Sequence, residues 1–176
     1  MRSIVRALAI VAALAAPTTA ASAAPSASDW SLRTSEGGEA HFSEALAEGP
    51  VLVSFWALWC RPCLIELPHI DALAREMKGR MTVFAVNIDS PKSVAKVRPF
   101  LKSKGYEVIV PLDTAGEVSR LLQVGKTVPF LVLYDANGKE AYRHVGYKEG
   151  DEKELRERVM SLLVTSADSS SAPGTE

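Results

Sequence analysis

Residues 53–63 read Val-Ser-Phe-Trp-Ala-Leu-Trp-Cys-Arg-Pro-Cys, and they join two segments of different periodicity. The uninterrupted apolar run over residues 50–56 is typical of a strand that is buried on both faces. Beyond Cys60, apolar residues recur at spacings of three and four as far as Met77, which predicts one face of a helix. The stretch therefore predicts a strand that leads directly into a long helix, with Cys60 and Cys63 at the junction.

Cys60 and Cys63 are the only cysteines of the chain. A helix N-terminus carries unpaired N–H groups and a partial positive charge, and both favour a thiolate. We therefore expect Cys60 to be the exposed nucleophile and Cys63, one turn further on, to be the buried resolving thiol. Arg61 adds a positive charge, and Pro62 suits a first helical turn. A C-x-x-C motif between a strand and a helix indicates a redox dithiol, and an inert structural disulfide or a metal-binding pair are the alternatives.

The rest of the chain alternates between strand-like and helix-like patterns and closes with a hairpin and a helix. Buried strands are predicted over residues 81–88 and 130–134, and a tight turn leads from the second into a partner strand over 140–146. The other predicted elements are a weak hairpin over 30–41, helices over 42–48, 116–124 and 151–164, a helix from Ser90-Pro91 to Ser103 with a kink at Pro99, and a short strand over 108–111. This order predicts an α/β fold in which a central mixed sheet has helices on both faces.

The chain has 176 residues, of which 47% are hydrophobic and 23% are charged, and its formal net charge is −1. This length suits one globular domain, and the composition excludes disordered, collagen-like and coiled-coil proteins. A net charge so close to zero gives no electrostatic footprint for nucleic acid.

The N-terminus has the three parts of a secretory signal peptide. Arg2 and Arg6 precede an uncharged apolar run over residues 7–16, and Ala21-Ser22-Ala23 forms a small-residue cleavage site. We therefore predict a cleaved signal peptide over residues 1–23, a domain over 24–164 and a disordered tail over 165–176, with an uncleaved membrane anchor as the alternative for the leader. Export would place the two cysteines in an oxidising compartment.

The segment around the cysteines resembles the active-site segment of the thioredoxin superfamily. Its continuation, Leu-Ile-Glu-Leu-Pro at residues 64–68, narrows the resemblance to the exported TlpA/ResA/CcmG-like family, whose members share the pattern WCxPCxxExP. Thr127-Val128-Pro129 resembles the cis-proline loop that lies against the C-x-x-C motif in that family, and residues 89–112 resemble the family's extra helix-strand insertion. The resemblance implies a thioredoxin-like three-layer sandwich.

The same resemblance implies a function. The expected activity is that of a periplasmic thiol:disulfide oxidoreductase, acting as a protein-disulfide reductase through a redox-active Cys60–Cys63 disulfide. A membrane-embedded thiol donor would return electrons to the pair, no flavin, nucleotide or metal would be required, and the protein would act as a monomer. Cytochrome c apoproteins, copper-site cysteines and misoxidised proteins are the client classes that stay open. The residues expected to contact the client are Trp59, Arg61, Pro62, Val128 and Pro129.

One position departs from the cytosolic thioredoxin pattern. Those proteins carry a buried aspartate six residues before the first cysteine, where this chain has Ser54. Because serine cannot act as a carboxylate base, Glu66 is the expected catalytic substitute that accepts the proton of Cys63. The alternative for Glu66 is a solvated acid on the helix surface. Among the histidines, His69 is the one that stays open as a residue of the site, since it directly follows Pro68.

Two other functions fit the cysteine pair. An oxidase or isomerase on the same scaffold would pass electrons in the opposite direction, and only the reduction potential separates it from a reductase. A Cu(I)-binding or Cu(I)-delivery module would use both thiolates as soft ligands, although the sequence supplies no nearby methionine cluster or well-placed histidine.

Overall fold

The computed structural model describes residues 29–170, with side chains as far as Thr165. The predicted signal peptide lies outside these residues. The strands are β1 (Ser31–Arg33), β2 (Glu39–His41), β3 (Val51–Trp56), β4 (Thr82–Asn87), β5 (Phe130–Tyr134) and β6 (Glu140–Val145). The helices are α1 (Phe42–Glu48), α2 (Arg61–Glu76), α3 (Val97–Lys104), α4 (Glu117–Leu121) and α5 (Asp151–Ser170), with a short 3-10 helix at Val94–Lys96.

The main sheet has four strands in the order β4-β3-β5-β6. Strand β3 runs parallel to β4 and antiparallel to β5, which pairs in turn with β6 as the predicted hairpin. All six residues of β3 are buried, as expected for a central strand with helices on both faces. The predicted α/β class and mixed sheet are confirmed, and β1 and β2 form a separate small hairpin.

Alternation along β3 divides its side chains between two cores. Leu52 and Trp56 pack with buried residues of α2, α3 and α5 on one face of the sheet. Val53 and Phe55 pack with buried residues of α1 and α4 on the other. Since successive strand residues point to opposite faces, Ser54 lies on the face that α2 covers.

The segment after β4 differs from its prediction. Helix α3 begins only at Val97, after a turn and the 3-10 helix, so Pro99 is its third residue and not a kink in a longer helix. A proline is tolerated there because the first N–H groups of a helix have no intrahelical partner. The predicted strand over 108–111 is reduced to isolated bridges, in which Ile109 pairs with Phe84 and Pro111 with Thr34.

Helix α5 is longer than its sequence pattern predicts. It continues to Ser170, beyond the expected end at Val164, because no glycine or proline interrupts the chain before Pro173. The structure therefore differs over 165–170 from the disordered tail that we predicted, and residues 171–176 lie outside the described range. Within residues 29–170, no helix has both the length and the apolarity that crossing a bilayer requires.

Candidate active site

The two cysteines occupy the start of α2, directly after the loop that follows β3. Cys60 is the N-cap residue of the helix and forms a disulfide with Cys63, across a Cα–Cα distance of 5.2 Å. The backbone N–H of Cys63 donates to Cys60 Sγ at 3.2 Å. After reduction, this N–H and the positive end of the helix would stabilise negative charge on the Cys60 sulfur. The geometry thus favours Cys60 as the thiolate.

Cys60 is more buried than its position at the outer end of α2 suggests. Cys63 is fully buried, as predicted, but Cys60 is only 4% exposed, so the expectation of an exposed Cys60 is wrong. The reason is the loop before β5, which brings Val128 O to 3.4 Å from Cys60 Sγ. The Val128 backbone therefore lies directly beside the Cys60 sulfur.

The bond between Val128 and Pro129 is cis, which confirms the structural prediction for this loop. Pro129 is buried and Val128 is partly exposed. Trp59, the residue directly before Cys60, is 64% exposed. Arg61 and Pro62 are also exposed in the first turn of α2. An accessible surface therefore adjoins a nearly buried sulfur, and its role in client binding stays a prediction.

Glu66 is a buried acid and not a solvated one, since it is only 4% exposed. Ser54 Oγ donates to Glu66 Oε2 at 3.4 Å. The serine at the position of the thioredoxin aspartate therefore contacts the glutamate that is expected to take over the role of that aspartate. Burial raises the pKa of Glu66 to about 8, and the negative charge of Asp151 adds to this rise, while the hydrogen bond from Ser54 opposes it. A carboxyl group that titrates near neutral pH can both accept and release a proton there.

Asp89, for which the sequence predicted no role, positions the loop ahead of Cys60. Its Oδ2 accepts hydrogen bonds from Leu58 N and Asn87 Nδ2, each at 2.8 Å, and its Oδ1 accepts one from Ser93 Oγ at 3.3 Å. Asp89 is 1% exposed, and a buried carboxylate is tolerated only when it is hydrogen-bonded in this way. An acidic residue just after a buried strand is the sequence feature that could have indicated this role for Asp89.

The histidines do not form a metal site. His69 is exposed and stacks on Tyr147, with ring centroids 6.2 Å apart. His144 Nε2 lies 3.0 Å from Asp151 Oδ2. Over the described part of the chain, no three His, Cys, Asp or Glu side chains are grouped so that they could hold a metal ion.

Comparison with known proteins agrees with this geometry. The family model described as Redoxin matches residues 19–159. The Thioredoxin-like protein YneN of Bacillus subtilis is 37% identical over 87 residues, which are 49% of this chain and 49% of YneN. The chain thus spans about half the length of that relative.

Two further proteins match over more of their length. The thiol-disulfide oxidoreductase ResA of Geobacillus thermodenitrificans is 31% identical over 69% of this chain and 68% of its own. A Chlorobium tepidum crystal structure, provisionally assigned as a thiol:disulfide interchange protein DsbE, superposes with a TM-score of 0.70 and 30% identity, over 78% of this chain and 95% of that one. The chain therefore belongs to the Redoxin family, among the thiol:disulfide oxidoreductases of the thioredoxin superfamily.

Proposed function

We propose that this protein is an exported protein-disulfide reductase. The observation that carries the proposal is the buried Glu66, on the same helix as Cys63 and hydrogen-bonded to Ser54. A thiol that must attack a mixed disulfide needs a proton acceptor, and residues three apart on a helix lie on neighbouring positions of its surface. The site therefore has a nucleophile, a resolving thiol and a base.

The reaction has two displacements. The Cys60 thiolate attacks one sulfur of a client disulfide, and the other client sulfur leaves as a thiolate and takes a proton from solvent. Cys63 then gives its proton to Glu66 and attacks Cys60 Sγ, which releases the second client sulfur. The two electrons of the dithiol have passed to the client, and the Cys60–Cys63 disulfide is formed. The backbone of Val128 is available to pair with the client like an added strand.

We infer the direction of electron flow from the charges around the pair. Strongly oxidising dithiols owe their potential to a stabilised thiolate. Where Glu66 is ionised, it works against such stabilisation, because a second negative charge beside the thiolate is unfavourable, and where Glu66 is protonated it adds no positive charge that would favour the thiolate. We therefore propose that the pair is reducing, and that a membrane-embedded thiol donor restores it after each cycle.

The reduction potential tests this direction. Equilibration with dithiol buffers of defined potential, followed by tryptophan fluorescence, should give a value nearer to the roughly −270 mV of thioredoxin than to the roughly −120 mV of a strong oxidant. Cys60→Ser should show no transition in the same titration. A potential close to that of the strong oxidant would assign the protein as an oxidase.

We propose the periplasm as the site of action, because residues 1–23 have the composition of a signal peptide. Intact-mass measurement of protein from the exporting compartment should show a mature chain that starts near Ala24. A membrane-bound chain that retains Met1 would contradict this assignment. Apocytochromes c, copper-site proteins and misoxidised proteins are the client classes compatible with the mechanism.

A further inference from the structure

A cavity of about 150 Å³ lies beside Glu66, between α2, the β5–β6 hairpin and α5. Besides Glu66, the titratable and charged groups that line it are His69 and Glu76 on α2, Tyr142 and His144 on β6, and Asp151, Glu152 and Arg156 on α5. The rest of the lining is apolar, so water in the cavity would have to lie along these polar side chains, and the volume is sufficient for several molecules. Glu66 therefore faces a space through which a proton can pass.

The strand register places a histidine at the far side of this cavity. Ser54 on β3 is paired with Leu131 on β5, and Leu131 is paired with His144 on β6. Directly paired residues point to the same face of a sheet, and neighbouring strands are about 4.8 Å apart, so Ser54 and His144 are separated by roughly 10 Å. Ser54 contacts Glu66 at one end of this row, and His144 contacts Asp151 at the other.

The His144–Asp151 pair lies between the cavity and solvent. The two side chains are 26% and 12% exposed, and Asp151 Oδ2 also accepts a hydrogen bond from Lys148 N at 2.9 Å. Imidazole titrates near neutral pH, which makes histidine the usual carrier of protons in proteins. Asp151 also acts on Glu66 directly, since its charge contributes to the raised pKa of that carboxyl group after the larger effect of burial.

The other groups around the cavity have different partners. His69 stacks on Tyr147, whose hydroxyl donates to Glu152. Glu76 forms an ion pair with Arg156. Of the two histidines that line the cavity, His144 is therefore the one held by a carboxylate.

We propose that the His144–Asp151 pair carries the proton between Glu66 and solvent during the resolving step. This inference rests on the proposed function, because that step is the one in which Cys63 loses its proton. The Cys63 sulfur bonds to Cys60 Sγ, the bond from Cys60 Sγ to the client sulfur breaks, and the client leaves as a thiolate. The proton of Cys63 passes to the Glu66 carboxylate, then through cavity water to His144–Asp151, and from there to solvent. His144 and Asp151 are positioning and relay residues, since they act through Glu66.

Stopped-flow oxidation of the reduced protein tests the relay. With saturating oxidised glutathione as the disulfide, the limiting change in tryptophan fluorescence reports the resolving step. In dilute, non-imidazole buffer at pH 7, His144→Gln should slow this step about tenfold, which is a modest part of what acid–base groups usually contribute. Added imidazole should restore the rate, because it can carry the proton in place of the missing ring.

The chain supplies matched controls. His41→Gln removes a histidine that pairs with Glu39 on the small hairpin, and it should change neither the rate nor its response to imidazole. Asp151→Asn is a second test of the relay and not a control: it keeps an acceptor for Lys148 N but removes the charge, so it should slow the resolving step as His144→Gln does and shift its pH midpoint to lower pH. Thermal unfolding checks that each variant is folded.

Three results would overturn the relay while the proposed function stands. These are a His144→Gln rate equal to wild type, a slowed rate that imidazole does not restore, and a slowing in His69→Gln instead. A wild-type protein that leaves oxidised glutathione and a disulfide-bonded client peptide intact would contradict the proposed function itself, and the relay with it.

Discussion

Replacing Cys63 with alanine should give a protein that accumulates mixed disulfides with its clients and no longer turns over. The Cys60 thiolate would remain at the start of α2, where the N–H of residue 63 still donates to its sulfur, as it does in the oxidised protein at 3.2 Å. Attack on the client would proceed, but no second thiol would release the product. Non-reducing electrophoresis of protein from the exporting compartment, followed by mass spectrometry of the bands that reductant removes, measures the trapped species.

Cys60→Ala is the matched control for this experiment. It leaves Cys63, whose side chain is fully buried in the oxidised protein, as the only thiol. A thiol without access to solvent cannot meet a client disulfide, so this variant should trap nothing. Equal trapping by the two variants would show that the roles of Cys60 and Cys63 are not separated.

Local patterns were sufficient to predict the elements that carry the dithiol. The apolar run of β3, the periodicity of α2 and the turn between β5 and β6 are properties of neighbouring residues, and the structure confirms each of them. The cis bond before Pro129 followed from a resemblance of three residues and is also confirmed.

Features that depend on distant segments could not be predicted in the same way. The burial of Cys60 arises from Val128, which lies 68 residues further along the chain. Asp89 reaches Leu58 across 31 residues, and no local pattern encodes such a contact. The kink expected at Pro99 was wrong because the start of α3 depends on where the preceding turn ends, and helix boundaries are weakly specified by local sequence.

Glu66→Gln should change the chemistry of the dithiol and the stability of the protein while the fold stays intact. Glutamine has nearly the same size and can still accept the hydrogen bond from Ser54, but it carries neither a charge nor a titrating proton. In the reduced protein, loss of the nearby negative charge should lower the pKa of the dithiol. Loss of the base should slow the resolving step about 100-fold, the lower end of general-base contributions. A thiol titration read by absorbance at the thiolate band, together with client-reduction rates, measures both effects.

The oxidised protein gives a second, independent readout. Because the pKa of Glu66 is raised from 4.5 to about 8 in the folded state, the folded protein holds a proton that the unfolded chain releases. The stabilising contribution of this proton is complete below the pKa that Glu66 has in the unfolded chain, and it is lost as the pH rises through the pKa that Glu66 has in the folded protein. The free energy of unfolding should therefore fall by about 1.4 kcal/mol per pH unit across that window, and Glu66→Gln should remove this slope.

Urea unfolding of the oxidised protein at several pH values measures the slope, and Glu76→Gln is the matched control. Glu76 lies on the same helix but is exposed and paired with Arg156, so its replacement should leave the dithiol titration and the slope between pH 4.5 and 8 unchanged. If Glu66→Gln also left the slope, the titration and the rate as they are in wild type, Glu66 would be neither a buried acid in solution nor the base of the resolving step. Cys63 would then have to lose its proton directly to solvent, which its complete burial opposes.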